Sequence, residues 1–360
     1  MALVIPTIEQ LAPYEGGKPI EELSRELGIT DAVKLASNEN PLGPSPRALE
    51  AARRVLDDSH RYPDGAAFNL RAKLAEKHHV AIDEILLGAG SNELLDLAVR
   101  TFCTPAHHIV FAEPSFVVYR ISAMSNGVPF TAVPLSADLT HDLPAMAAAV
   151  KPETRVMFVA NPNNPTGTYV SRAAVEKLLR DVPPDVIIVM DEAYLEYADA
   201  PDFPDSLELR GLRERLLVLR TFSKIYGLAS FRVGYGFGPQ NLIDYMNRIR
   251  APFNVSTLAQ AAATAALDDT DHVDTARALN KKERQRVTNA LGALGLGVTP
   301  SQANFVLVDV RRPARAVYEA LLRKGVIVRP FPSLPTSLRI TLGTERENDR
   351  FLAALAEVLS

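Results

Sequence analysis

The sequence predicts an α/β protein. Its large domain is expected to be built on a mostly parallel, seven-stranded sheet flanked by helices, with a smaller α+β domain formed by the N-terminal arm and the C-terminal segment. Three observations carry this. Short runs dense in Val, Ile, Leu and Phe alternate with helical stretches through the middle of the chain. Those runs are continuously apolar rather than alternating, as strands covered on both faces must be. Residues able to do chemistry gather at the carboxyl ends of the runs, where open parallel sheets bind their ligands.

At 360 residues the chain exceeds what one small core needs. Its composition, 47% hydrophobic and 23% charged, is that of an ordinary globular protein. A net charge of −4 offers no basic field for nucleic acid or an anionic membrane, so neither is expected as a partner. The single cysteine, Cys103 in DLAVRTFCTP, lies in an apolar helical stretch and reads as a structural thiol in a reducing compartment. The first basic residue is Lys18, and the apolar runs fall far short of the roughly 20 residues of a bilayer span. A cytoplasmic location is expected.

Residues 1–45, rich in Pro and Gly, read as an arm with one short helix over 19–27. Residues 46–255 read as the large domain. Helices over 46–57 and 69–78 lead into the strand EILLGAG and the helix SNELLDLAVRTF, with Ser91 or Asn92 as its cap. The runs HIVFAEP, FTAVPL, RVMFVANP, VIIVMDEA and LLVLRTFS follow as strands. Residues 256–360 read as the smaller domain. A long charged helix over 271–294 connects to the strands NFVLVDV, VIVR and SLRITLG and a last helix over 345–359.

The stretch 186–238 concentrates the candidate chemistry. One strand ends in Asp191, the next in Thr221, Ser223 and Lys224, and Arg232 follows eight residues later. Two hydroxyls and a guanidinium can ring a phosphate monoester, leaving the lysine amine free to bond an aldehyde. A carboxylate at the end of an apolar strand must be paired. No cluster of metal ligands accompanies Asp191, since only Glu192 adjoins it and should point the other way. A protonated heteroaromatic nitrogen suits it better, because it would turn the ring into an electron sink. Tyr194 and Asn164, the latter in the turn NPNNPTG, could bond a ring hydroxyl, and Phe116 could stack on a planar group or belong to the core. GAGSNE places backbone amides at a helix N-terminus, an anion site. It also begins like a dinucleotide fingerprint, but Glu93 stands where the third glycine belongs.

With these residues in view, the chain resembles the pyridoxal-phosphate-dependent aminotransferases of fold type I, and within them the histidinol-phosphate aminotransferases. The likeness runs through GGKPIEELSRELGI, KLASNENPLGPSP, RYPDG, NPNNPTG, DEAYLEY, TFSKIYGLASFRVGYG, APFNVSTLAQAA and LRITLGT. It implies that Lys224 carries pyridoxal 5'-phosphate and shuttles the proton. It further implies that Asp191 holds the ring nitrogen, that Asn164 and Tyr194 bond the ring hydroxyl, and that Phe116 stacks on the ring. Ser91, Asn92, Thr221, Ser223 and Arg232 would surround the phosphate. Tyr62 would reach the phosphate in a neighbouring subunit, implying a homodimer with shared sites. Arg339 would receive a substrate carboxylate, and Arg329 and Tyr14 the phosphate of the substrate.

Three positions depart from the family pattern. Phe116 stands where tyrosine is usual, Ser230-Phe231 where smaller residues are common, and RPFPSLPTSLR (329–339) is proline-rich and short. The resemblance implies ping-pong transfer of an amino group from L-histidinol phosphate to 2-oxoglutarate. Aromatic amino acid transamination and decarboxylation of a phosphorylated amino acid are the alternatives on the same chemistry. A nicotinamide-dependent dehydrogenase or a non-catalytic module would leave Lys224, Asp191 and Arg232 unexplained.

Overall fold

The computed structural model describes residues 3–14 and 16–360. Its main sheet has seven strands in the order Ile85–Gly88, Gly234–Phe237, Leu216–Thr221, Ile187–Asp191, Thr154–Ala160, His108–Glu113 and Phe130–Pro134. Six share one direction, and Gly234–Phe237 runs antiparallel to both its neighbours. The six lie along the apolar runs. The seventh, GYGF, lacks their branched side chains because the helix Ser91–Phe102 comes too close. A Cβ on Gly234 would stand 2.5 Å from the Ser91 amide nitrogen.

Both faces of the sheet are covered, which explains the unbroken apolar runs. Along Ile187–Asp191, Ile188 and Met190 enter one core while Ile187 and Val189 enter the other. Each fully buried aliphatic side chain of this kind contributes about 1.5–3 kcal/mol. The helix Ser91–Phe102 begins differently from expectation. Its cap is Gly90, at φ +79, and neither Ser91 nor Asn92 caps it. Positive φ lets the chain turn at once from strand to helix, so Ser91 is already helical and its hydroxyl is left for other work. The helix expected over 46–57 stops at Arg54 and continues as a 3₁₀ turn, Leu56–Asp58.

A second, antiparallel sheet has the order Arg329–Phe331, Leu334–Thr341, Phe305–Asp309 and Gly297–Thr299. Its core collects Val306, Val308, Leu338, Ile340, Phe351 and Leu355, and also Leu35 from the arm. The arm is stitched in by backbone pairing. Val33–Lys34 pairs in parallel with Val326–Ile327, and the Thr341 amide donates to the Leu35 carbonyl at 2.9 Å. The helix Thr270–Ala293 joins the two cores, with Ala276 in the first and Val287 and Leu291 in the second. The helix before it, Thr257–Ala266, lies beyond residue 255 but buries Ala259, Ala262 and Ala263 in the core of the large sheet.

Candidate active site

A cleft of about 1670 Å³ opens at the carboxyl ends of the parallel strands and is closed on its far side by the second sheet and the arm. Every residue to which the family resemblance assigns a part in the site lines it except Tyr62. The reason is local. Asp191 is in register with Leu219 of the adjacent strand, so Asp191 and the segment Thr221–Lys224 leave the sheet side by side.

Asp191 and Glu192 point to opposite sides, as strand geometry requires. Glu192 Oε2 accepts from Arg220 Nε and Nη2 at 3.0 and 2.8 Å in a dry pair below the sheet, which Asp205 also joins. Asp191 Oδ2 accepts from the buried Tyr119 hydroxyl at 2.8 Å, while its Oδ1 is buried with no hydrogen-bond partner among the described residues. Burial pushes this carboxyl up to about 6, against the pull of the Tyr119 hydroxyl, the Ala193 backbone amide and the Lys224 charge. Lys224 Nζ lies 3.3 Å from the Ser37 carbonyl oxygen and 5.6 Å from the centre of the Tyr194 ring. Removal from water, helped by the Arg339 and Arg232 charges and opposed by Glu39 and Asp191, lowers its ammonium to about 8. A lysine so held is deprotonated much more readily than one in water, which a nucleophilic amine requires.

Beside the lysine is an anion cradle. Thr221 Oγ1 donates to Ser223 Oγ at 3.0 Å and accepts from the Ser223 amide at 3.1 Å. Arg232, at φ +55, turns back over them, donating to the Ala229 and Ala89 carbonyls at 3.0 and 3.3 Å. A Cβ on Gly90 would stand 2.5 Å from Arg232 Nη2, so only glycine admits the guanidinium there. The N-terminus of Ser91–Phe102, which no side chain caps, adds backbone amides and a positive dipole end. Glu93, the acid that spoils the dinucleotide pattern, braces this loop. Its Oε2 accepts from the Ala89 amide at 2.5 Å and from Asn254 Nδ2 at 2.6 Å. The dinucleotide reading fails because the position holds the turn together instead of admitting a pyrophosphate.

Within NPNNPTG the two asparagines divide the labour. Asn163 is fully buried and knits the turn, accepting from Ser115 Oγ at 2.8 Å and donating to Thr166 Oγ1 at 2.9 Å. Asn164 faces the cleft, and its Oδ1 accepts from Arg339 Nη1 at 2.6 Å. Tyr194 Oη accepts from Asn38 Nδ2 at 2.8 Å. Phe116 lines the cleft and meets Tyr119 edge-on at 5.9 Å.

The proline-rich segment 329–339 forms a hairpin in which Arg329 and Arg339 are directly cross-strand partners, so both guanidiniums lie on one face. Arg339 also donates to the Ala36 carbonyl at 2.5 Å; burial, with some help from Arg329, lowers it to about 10. Arg329 donates to the Gly16 carbonyl at 2.8 Å, and its guanidinium lies 5.8 Å from the Tyr14 ring centre, so the arm passes over this end of the cleft. Tyr62 stands apart, 83% exposed and stacked on Phe253 at 4.7 Å. The sequence reading missed Tyr119 and Asn38. Tyr119 is hidden because its partner is made by a strand 72 residues away, while Asn38 lies in the polar run Ser37-Asn38-Glu39-Asn40, whose composition by itself gives it no role.

The fit to a phosphorylated pyridine aldehyde is therefore good. The unpartnered buried oxygen of Asp191 suits a cationic ring N–H, the cradle suits a phosphate, and the Lys224 amine lies within electrostatic reach of both Asp191 and Arg232. The family described as aminotransferase class I and II matches residues 30–355, and the chain belongs to it; it is a transferase, and its cofactor is pyridoxal 5'-phosphate. More narrowly, it is 51% identical to histidinol-phosphate aminotransferase 2 of Pseudomonas aeruginosa, over 100% of this chain and 98% of the relative. It is 48% identical to histidinol-phosphate aminotransferase of an Anaeromyxobacter species, over the full length of both. Among solved structures it superposes on histidinol-phosphate aminotransferase from Sinorhizobium meliloti in complex with pyridoxal-5'-phosphate with a TM-score of 0.91. That pair is 30% identical over 100% of this chain and 98% of the other.

Proposed function

We propose that this aminotransferase moves the amino group of L-histidinol phosphate to 2-oxoglutarate, yielding the phosphorylated ketone and glutamate in two successive half-reactions, as a step of histidine biosynthesis. The observation that carries an anionic substrate is the pairing of Arg329 with Arg339 on one face of the cleft wall, which fits the alternative phosphorylated or carboxylate donors as well. Two guanidiniums side by side on one face can give charge-assisted hydrogen bonds to an anionic group of the substrate. Both substrates bring such anions, a phosphate in the donor and two carboxylates in the acceptor. The names of the relatives at about half identity support the same substrate.

In this reading Ser91, Asn92, Thr221, Ser223 and Arg232 hold the phosphate of the cofactor. Asp191 meets its ring nitrogen through the unpartnered Oδ1, Asn164 and Tyr194 meet its ring hydroxyl, and Phe116 covers the ring. When bound, the cofactor supplies an electron sink for the bond that breaks at the substrate carbon. Lys224 Nζ would take the proton from the carbon bearing the amino group and return it; its lowered pKa suits both acceptance and return. Tyr14 and the arm exclude water over Arg329. Two bodies divided along the helix Thr270–Ala293 make up the chain, the arm belonging with the C-terminal one.

Tyr62, exposed and held by Phe253, serves the phosphate cradle of a second copy, so the working form is a homodimer with shared sites, in the cytoplasm. No helix among the described residues is long and apolar enough to cross a membrane. The deciding experiment is a donor panel of histidinol phosphate, phenylalanine, tyrosine and phosphothreonine with 2-oxoglutarate. Histidinol phosphate should give the highest kcat/KM. A preference for phenylalanine or tyrosine, or release of carbon dioxide from phosphothreonine, would overturn the assignment.

A further inference from the structure

Asn38 is buried, sits at φ +56 and belongs to the arm rather than to any strand of the main sheet. A positive φ favours glycine, which would serve the backbone here without strain. The asparagine side chain, however, is engaged at both ends. The Asn38 backbone amide donates to Thr341 Oγ1 at 2.9 Å, so the hydrogen of that hydroxyl must go elsewhere, and Asn38 Oδ1 accepts it at 3.0 Å. With Oδ1 so fixed, Nδ2 is the end that faces Tyr194, and it donates to Tyr194 Oη at 2.8 Å. Asn304 Nδ2 donates to the Asn38 carbonyl at 3.0 Å and holds the residue in place. A phenol oxygen that accepts from an amide cannot send its own hydrogen back along that line.

We infer that Asn38 is a positioning residue: pinned by Thr341, it forces the Tyr194 hydroxyl to present its hydrogen to the cleft, and so to the ring oxygen of the cofactor. This rests on the proposed role of Tyr194 and adds the reason that Tyr194 donates there rather than accepts. A donor at that oxygen weakens its hold on the proton shared with the lysine–cofactor nitrogen, so the linkage deprotonates at lower pH.

The test is a spectrophotometric pH titration of the bound cofactor in the holoenzyme without substrate. Tyr194→Phe should move the midpoint upward by about one pH unit, the worth of one hydrogen bond to a charged oxygen. Asn38→Gly, which keeps the backbone conformation, and Thr341→Val, which frees the amide to turn, should each move it upward by part of that amount. In the Tyr194→Phe background neither should add a further shift. If Asn38→Gly or Thr341→Val leaves the midpoint at the wild-type value, or shifts it equally with and without the Tyr194 hydroxyl, the inference is overturned while the role of Tyr194 stands. If Tyr194→Phe itself produces no shift, that role fails and the inference falls with it.

Discussion

Asp191→Asn offers the sharpest check on the electrostatics of this site, because two consequences of opposite sign follow from one change. In the cofactor-free protein the carboxylate is buried, one oxygen is satisfied by Tyr119 and the other by nothing among the described residues. Its pKa rises from 3.8 to about 6, so the folded state binds the proton more tightly than the unfolded chain does. Stability contributed by the neutral acid is therefore present at low pH, drains away across the window from 3.8 to about 6, and is gone above it. The span corresponds to about 3 kcal/mol. Urea melts of the cofactor-free wild type at paired pH values on either side of that window should carry this loss, and the asparagine variant should lack it. Loading the cofactor reverses the ranking. The variant keeps the Tyr119 contact but offers no charge to the ring N–H, so affinity for pyridoxal 5'-phosphate should fall about ten- to a hundred-fold, the loss of one charge-assisted hydrogen bond. Equal pH dependence of the two cofactor-free proteins would refute the burial argument. Unchanged cofactor affinity would refute the assignment of Oδ1 to the ring nitrogen.

Other expectations follow from the same geometry. Lys224→Ala should abolish turnover yet keep measurable cofactor binding by fluorescence, since the cradle and Asp191 remain; wild-type kcat in that variant would remove the lysine from the chemistry. Arg329→Ala should lower kcat/KM for histidinol phosphate by at least ten-fold more than for phenylalanine, because the phosphate loses a charge-assisted partner; equal losses would make the arginine structural. Mixing and refolding Tyr62→Ala with Lys224→Ala should restore activity that neither has alone, because one site of the hybrid dimer regains both residues; no recovery despite dimer formation would place Tyr62 outside the site. Cys103, pushed up to about 12 by burial, should resist iodoacetamide at neutral pH until the protein is unfolded, as read by mass spectrometry.

Much of this enzyme was legible in its residues, for reasons that are local. Strands buried on both faces must be apolar throughout, so six of the seven announced themselves. Lys224, Asp191 and Arg232 could be singled out because a lysine, an acid and an arginine at strand ends are costly without a shared ligand, and because the surrounding motifs belong to one family. The seventh strand, GYGF, escaped that reasoning, since its composition answers to the helix packed against it. Tertiary structure alone decided the rest. Register beside Leu219 brings Asp191 next to the lysine loop, and hairpin pairing sets Arg329 opposite Arg339. Gly90 rather than Ser91 caps the helix Ser91–Phe102, because a positive φ lets the chain turn there at once. Tyr119 and Asn38 gain meaning only through hydrogen bonds that span 72 and 156 positions. A side chain's intrinsic chemistry is carried by its own residue, but the partner that tunes it is chosen by the fold, and no short-range pattern in the chain encodes that choice.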